Sequence, residues 1–299
     1  MRHLLLLLLS LSLCQAAKAQ GESAVKVSEG GYGLVRTNLS VEYEHSWGQV
    51  SDEFEARASY EFLKKRHLTL SANARYNSYT TDFDKGSFSD GFEPSAIGLN
   101  KTHIMGHAGL TATARGRLFG RPVMGLALVN TGFSPAGFDR VSGILMGLVM
   151  LRANRDTQFG LGPLVMLNTT SRIPAFLVFI YRHRFNDKWL LNLYGALFGV
   201  EYTPTENDLL AAGADVNVKS FFFKTHDDSL PGNCRFTLTT GRPLIKYRRR
   251  LGDNLYFEAK GGVAFRMSCR INGRTGTHTY SEGSQKPAPF IRIGLSYAM

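Results

Sequence analysis

The chain has 299 residues, with 35 Lys and Arg against 24 Asp and Glu, so its formal net charge is +11. Hydrophobic residues make up 43% of the chain, and the mean hydropathy is −0.13. After the N-terminal segment no apolar run approaches the roughly 18 residues that a membrane-spanning helix needs. The sequence therefore excludes a bundle of membrane helices, and it shows no linker or low-complexity block that would divide it into domains.

The chain opens with MRHLLLLLLSLSLCQAAKAQ. A base, a short Leu-rich run and the small-x-small pattern at 17–19 are typical of a secretory signal peptide. We expect residues 1–19 to be a cleaved signal peptide and residues 20–299 to form one outer-membrane β-barrel. A lipoprotein attached through Cys14 is the alternative, but Leu13 occupies the position where a small residue is preferred.

Alternation of apolar and polar residues recurs along the rest of the chain, and a period of two indicates β-strands with one apolar face. The repeated pattern predicts an all-β fold. We expect strands at 39–47, 54–62, 68–76, 104–114, 122–130, 141–152, 157–168, 174–185, 188–202, 208–224, 234–249, 254–271 and 288–299.

The connections between these segments differ in length. Those at 185–188, 202–207 and 250–253 are short, whereas those at 80–101, 225–233 and 272–287 are long and polar. Short turns on one side and long loops on the other are typical of an outer-membrane barrel. Lipid cannot satisfy open strand edges, so the sheet must close. We predict a transmembrane antiparallel β-barrel of about 12–14 strands.

The count of thirteen segments is odd, although an even number is expected for a bacterial barrel. An extra strand at 25–35 would make fourteen, and merging weak segments would make twelve. Counted back from the C-terminus, the thirteen segments place the long loop 80–101 on the side of the short turns. This conflict predicts a miscounted strand between 101 and 160.

The last segment, PFIRIGLSYAM, alternates Ile291, Ile293, Leu295 and Tyr297 with small or polar residues. A final strand with this pattern resembles the signal recognised by the barrel assembly machinery, although Met299 replaces the usual terminal aromatic residue. Placing the C-terminus in the periplasm makes the loop 272–287 extracellular.

The stretch 159–202 combines a Gly-rich strand, a turn leading into Pro174, an aromatic-rich strand and an NDKW turn before another apolar segment. In this pattern the chain resembles an uncharacterised family of outer-membrane β-barrels, a domain of unknown function seen in Bacteroidota and related bacteria. The resemblance implies a fold and an outer-membrane location. It implies no activity and no catalytic residues.

Two cysteines remain after signal cleavage, Cys234 and Cys269. A symmetric four-residue turn at 250–253 would place them directly opposite each other on adjacent strands, and the export route is oxidising. This register predicts a disulfide. Two free buried thiols are the alternative, and a single β-bulge would destroy the match.

The interior of the predicted barrel is inferred from strand parity. In 255–271 we expect Leu255, Phe257, Val263, Phe265, Met267 and Ile271 to face lipid. The opposite parity, in this strand and others, predicts charged residues that face the lumen: Arg115, Arg117, Glu258, Lys260, Arg266, Arg270 and Arg292. This mostly basic set favours anions if a water path exists, or forms an internal network of ion pairs.

Three segments, 141–151, 174–181 and 189–200, are apolar on both parities, which predicts that part of the interior is apolar. Such an interior fits a passage for hydrophobic solutes, a packed core, or a surface covered by another protein or subunit.

No motif for an enzyme emerges. His103 and His107 share one strand face without a third metal ligand nearby, and 226–229, the sequence HDDS, is too local for a catalytic triad. We predict no catalytic, cofactor-binding or metal-binding residues.

The sequence therefore favours a passive channel or transporter for small anionic or hydrophobic solutes. The alternative is a structural or interaction barrel with a plugged lumen and binding loops, and a lipid-modifying enzyme is the least favoured function. Expected partners are outer-membrane lipid, lipopolysaccharide and the barrel assembly machinery, with a homo-oligomer or a partner protein possible in principle, and no nucleic acid.

Overall fold

The computed structural model describes residues 37–89, 91–138, 141–167, 175–194, 197–225, 230, 232–273, 279–283 and 286–298. The predicted signal peptide and the extra strand at 25–35 lie outside the described residues. Within the described part, no helix is long and apolar enough to cross a membrane. The first strands are β1 (Thr37–Ser46), β2 (Val50–Lys65), β3 (Leu68–Thr81), β4 (Thr102–Leu118), β5 (Arg121–Ser134), β6 (Gly137–Phe138), β7 (Ser142–Ala153) and β8 (Thr157–Leu167). The remaining strands are β9 (Ala175–Arg184), β10 (Trp189–Leu193), β11 (Phe198–Tyr202), β12 (Asp208–Lys224), β13 (Asn233–Arg250), β14 (Leu255–Gly273), β15 (Thr279–Glu282) and β16 (Ala288–Ala298).

Fourteen of these strands form one closed antiparallel barrel. Neighbours along the chain pair with one another, and the barrel closes where β1 pairs with β16. Two short strands lie off the barrel wall, β6 against β5 and β15 against β14. The predicted all-β barrel is therefore confirmed.

The predicted segment 188–202 is two strands. Leu193 pairs with Phe198 and Trp189 pairs with Tyr202, so the chain reverses within this segment. The reversal was missed because its sequence, LYGALF, offers only Gly195 as a turn residue and contains no Pro, Asn, Asp or Ser. The missing strand was thus expected in the wrong place, since it lies here and not between 101 and 160.

With this strand added, the connections sort correctly into two ends. The turns after β2, β4, β7, β9, β11 and β13 lie at the end that also holds both described termini, called here the short-turn end. The connections after β3 and β14, which span 82–101 and 274–287, lie at the opposite, long-loop end. The conflict over the side of loop 80–101 is thereby removed.

The outer surface of the barrel is apolar. Outward side chains are exposed and mostly aliphatic or aromatic over much of the wall, which is the surface that a bilayer requires. Representative members are Leu39, Val41, Phe54, Phe62, Leu110, Val129, Leu145, Leu161, Leu177, Ile245, Ile293 and Leu295. The fold matches a transmembrane β-barrel.

Strand β14 changes faces along its length. Thr239 pairs with Ser268 but Thr240 pairs with Arg266, so Met267 is the extra residue of a β-bulge. Before the bulge, Phe265 is exposed and Lys260 is buried, as predicted; after it, Ile271 is 0% exposed. The prediction that Ile271 faces lipid is wrong, because a bulge reverses the parity of every later residue.

Candidate functional site: the barrel interior

One side of the interior is charged. Inward side chains of six adjacent strands, β12, β13, β14, β16, β1 and β2, form what we call the charged wall. At its centre Arg242 is 1% exposed. Its Nε donates to Asp215 Oδ1 at 2.7 Å, its Nη2 to Asp215 Oδ2 at 2.8 Å, and its Nη1 to Glu44 Oε2 at 2.7 Å. This bidentate geometry is the strongest that an Arg–carboxylate pair adopts.

Further ion pairs extend this centre across the wall. Lys219 Nζ lies 2.7 Å from Glu44 Oε1 and 3.1 Å from Glu53 Oε2. Arg292 Nε lies 2.8 Å from Glu42 Oε2. Strands β12, β13, β1, β2 and β16 are thus tied together through the lumen as well as through their backbones.

A second group lies on β13 and β14. Lys246 Nζ and Lys260 Nζ lie 2.9 Å and 2.6 Å from the two oxygens of Glu258. Both lysines are buried. Because these buried bases contact carboxylates, the charged wall does not present the uncompensated positive field that would draw anions through the barrel.

The residues predicted to face the lumen lie in several different places. Glu258, Lys260 and Arg292 belong to the charged wall. Arg115 and Arg117 lie on the inward parity of β4 near the short-turn end. Arg266 lies beside the bulge and is exposed, and it donates to the carbonyl oxygen of Gly283.

Arg270 was predicted to face the lumen, and this placement is wrong. It follows the bulge, pairs with Thr237 on the outward face and is exposed beside Glu282, with 3.1 Å between its Nε and Oε1. Four further inward charged residues were not predicted: Glu44, Asp215, Lys219 and Arg242. Each occupies the polar parity of a correctly predicted strand, so the alternation itself could have found them.

The opposite side of the interior is apolar. Inward side chains of β5, β7, β8 and β9 form what we call the apolar wall, which confirms the prediction of a partly apolar interior. Its members are Met124, Leu126, Ile144, Met146, Leu148, Met150, Leu164, Met166, Phe176, Val178 and Ile180. On β9 the neighbouring residues Leu177 and Phe179 face outward and are exposed, so this strand is apolar on both faces.

The long-loop end is filled by a third group, called here the plug. Loop 82–101 contributes Phe83, Phe88, Ile97 and Leu99, which are nearly inaccessible to solvent. They pack with inward side chains from the upper parts of several strands. Phe83 lies 5.3 Å from Phe236 between ring centroids.

Two strands from opposite sides of the barrel meet in the plug. His103 of β4 stacks on Phe221 of β12 with 4.0 Å between centroids, although these strands are seven positions apart around the sheet. His103 Nε2 also lies 2.7 Å from the carbonyl oxygen of Leu99. Opposite sides of the barrel therefore touch across the lumen at this level.

Cys234 and Cys269 are not joined by a disulfide, and both lie in the plug. Cys234 pairs with Gly273 and Cys269 pairs with Leu238, so the two residues are not opposed. The register that predicted a disulfide is offset by four residues from the observed one. Three residues of the offset arise at the turn, where Arg250 pairs with Tyr256, and one arises at the bulge.

The titratable residues that the structure describes also bear on the predicted candidates for chemistry. Among the described residues, no group of three or more His, Cys, Asp and Glu could hold a metal ion. On the outer face His45 Nδ1 lies 2.9 Å from Asp52 Oδ1, and Tyr43 donates to the same oxygen at 2.5 Å. The hydroxyl of Ser51 donates to Asp52 Oδ2 at 2.9 Å, so it is hydrogen-bonded to the carboxylate and not to His45. The candidate residues 226–229 lie outside the described residues.

No protein-family model matches the chain, and no curated protein matches it. Its fold is similar to solved outer-membrane proteins. An outer-membrane channel from Pseudomonas putida F1 is 9% identical with a TM-score of 0.45, over 93% of this chain and 100% of that one. A FadL homologue from Pseudomonas aeruginosa is 9% identical with a TM-score of 0.37, over 87% and 88%. The outer membrane phospholipase dimer with bound calcium from Salmonella typhi is 8% identical with a TM-score of 0.37, over 94% and 96%. At these values the similarities assign neither activity nor solute to this chain.

Proposed function

We propose that this protein is a bacterial outer-membrane barrel whose lumen takes up small hydrophobic solutes, and that it is not an enzyme. The observation that carries the proposal is the apolar wall. A porin lumen is polar, whereas four adjacent strands here present Met, Leu, Ile, Val and Phe to the interior. Flexible Met side chains suit solutes of varied shape.

The charges of the interior favour this solute class over small anions. Arg242, Lys219 and Arg292 are buried against carboxylates. Stripping water from an ion is costly, and a wall of paired charges offers little in return. The charged wall is better suited to hold the shape of the barrel than to bind a free ion.

The experiment compares two kinds of passage through the refolded mature protein in liposomes. Entry of an apolar fluorescent dye into lipid-enclosed acceptor vesicles reports hydrophobic uptake, and single-channel current reports an ion path. We expect dye transfer with little or no ion current. Sustained anion-selective current without dye transfer would contradict the proposal.

A matched pair of variants assigns the effect to the apolar wall. Leu148 is 1% exposed on β7. Leu148→Gln adds a polar group to the wall and should slow dye transfer, whereas Leu148→Met preserves its character and should not. The gel shift of an unheated sample verifies that both variants form barrels.

A second candidate function rests on the plug. Four apolar side chains of loop 82–101 fill the long-loop end, as expected of a barrel that serves as a structural or interaction protein. This alternative predicts no transfer of dye or ions, and recovery of a cross-linked partner through the long-loop end.

A further inference from the structure

At one place the barrel wall is short along the strand direction. Between the ten-residue strand β9 and the 17-residue strand β12 stand two strands of only five residues, β10 and β11. β10 pairs with β9 only from Arg182 to Arg184, and β11 pairs with β12 only as far as Ala214.

On the long-loop side of this short hairpin, one edge of β9 and one edge of β12 therefore face each other with none of the described strands between them. Among the strands that the structure describes, none pairs with the β10-facing edge of β9 from Ala175 to Tyr181, nor with the β11-facing edge of β12 from Val216 to Lys224. At ~3.3 Å per residue the edge on β9 is about 23 Å long. Three strand spacings, about 14 Å, separate β9 from β12 at the hairpin.

This interruption lies at the level of the lipid-facing surface. Leu177 and Phe179 on β9, and Val218 on β12, point outward beside it and are exposed. At membrane depth, unpaired backbone is tolerated where it is buried in protein or lines a cavity, and not where it faces lipid directly. The two edges must therefore border a cavity of the barrel or be covered by protein, because no strand in the part of the chain that the structure describes pairs with them.

The apolar wall runs up to this interruption. Phe176, Val178 and Ile180 belong both to the wall and to the edge strand β9, and Tyr194, at the top of the short hairpin, packs against the same cluster. The axial route is different, because the plug fills the long-loop end. The apolar wall therefore meets the lipid-facing surface at this side, on β9.

We propose that the interval between β9 and β12, above the β10–β11 hairpin, is a lateral opening through which hydrophobic solutes pass between the lumen and the bilayer. The inference rests on the proposed function for its solute, but the opening itself is a separate claim. A solute that dissolves in lipid needs no aqueous exit, so a side opening suits this class.

The first test measures whether lipid reaches the opening, without any transport assay. The chain has two Trp, Trp47 and Trp189, and both are replaced by Phe to give a Trp-free background. Three single-Trp variants are then refolded into bilayers with brominated acyl chains: Phe176→Trp at the rim, Phe179→Trp on the outer face, and Met124→Trp on the far side of the apolar wall.

We expect quenching of Phe176→Trp comparable to that of Phe179→Trp, with Met124→Trp much less quenched. Equal protection of Phe176→Trp and Met124→Trp would overturn the opening, whatever the dye assay shows. Quantitative disulfide-linked dimers of a Leu177→Cys variant would also overturn it, because a second copy would then cover the rim.

The second test asks whether solute uses the opening. Leu177→Cys and Val218→Cys are joined by a bismaleimide that spans about 14 Å. The control pair Leu145→Cys and Val165→Cys is directly opposed on β7 and β8, so joining it leaves the wall unchanged. We expect dye transfer to fall severalfold in the first pair and to be retained in the control. Undiminished transfer in both would overturn the lateral route, whereas absence of transfer in the wild type would contradict the proposed function and leave the quenching result to decide the opening.

Discussion

The charged wall and the apolar wall are built on opposite principles. In the charged wall each buried group is held by specific partners, so that Arg242 alone connects β13 to β12 and β1. In the apolar wall the contacts are non-directional, and several members are Met, whose side chain adapts readily. One wall thus holds its strands together through specific ion pairs, and the other through apolar contacts that tolerate changes of side-chain shape.

The largest expected effect is removal of the central base of the charged wall. Arg242→Ala leaves Asp215 and Glu44 buried without their shared partner, and breaking such a pair costs about 3–5 kcal/mol. The free energy of unfolding in urea, measured in lipid vesicles, checks this value. The matched control is Arg249→Ala on the same strand, where Arg249 is 57% exposed and lies 3.9 Å from Asp208; we expect about 1 kcal/mol or less. Equal costs for the two variants would show that the charged wall does not set the shape.

A second effect is expected at the plug. Leu99 is 0% exposed, and Leu99→Asp would place a carboxylate among aromatic side chains at a cost of several kcal/mol. We expect the loop to leave the barrel while the strands stay paired, so that an ion current appears in single-channel recordings. Ala96→Asp, on the exposed side of the same loop, is the control and should conduct as the wild type does.

A smaller effect is expected in the apolar wall. Leu148→Ala should cost about 2 kcal/mol, the lower end of the range for such changes. The reason is that the apolar residues packed with Leu148 come from β5, β7, β8 and β9, with Tyr194 beside them, and so lie on one side of the barrel. A cost near 5 kcal/mol in urea unfolding would indicate a core packed across the lumen, and it would remove the distinction between the two walls.

Much of the fold follows from local pattern. Alternation identified twelve barrel strands and a thirteenth segment that is two, because a period of two survives wherever one face meets lipid. The split at 194–197 was missed because Gly195 is its only turn residue, and an isolated Gly within an apolar run also fits a continuous strand. The bulge at Met267 could not be predicted either, because it depends on the pairing of β13 with β14 and not on either sequence alone.

Several charged residues of the interior were predicted, but the specific ion pairs that they form were not. Parity alone identified Glu258, Lys260 and Arg292 as inward. It could not show that buried bases would pair with carboxylates from strands far away in sequence. Arg242, for example, pairs with Glu44, which is 198 residues away along the chain. Such pairs depend on barrel closure and shear, which set the strands that face one another through the lumen.

The smallest effect concerns the arginine whose side was predicted wrongly. Arg270 lies on the outer face with 47% of its side chain exposed, and its partner Glu282 is 65% exposed. Exposed ion pairs contribute about 0–1 kcal/mol, so Arg270→Ala should change the urea midpoint little, and it should leave the current through the Leu99→Asp variant unaltered because it does not border the lumen. Arg115→Ala, on the inward parity of β4, is the comparison and should shift the ion preference of that current toward cations. If replacing Arg270 changed the ion preference, Arg270 would have to face the lumen. The reversal of strand parity at Met267 would then be wrong.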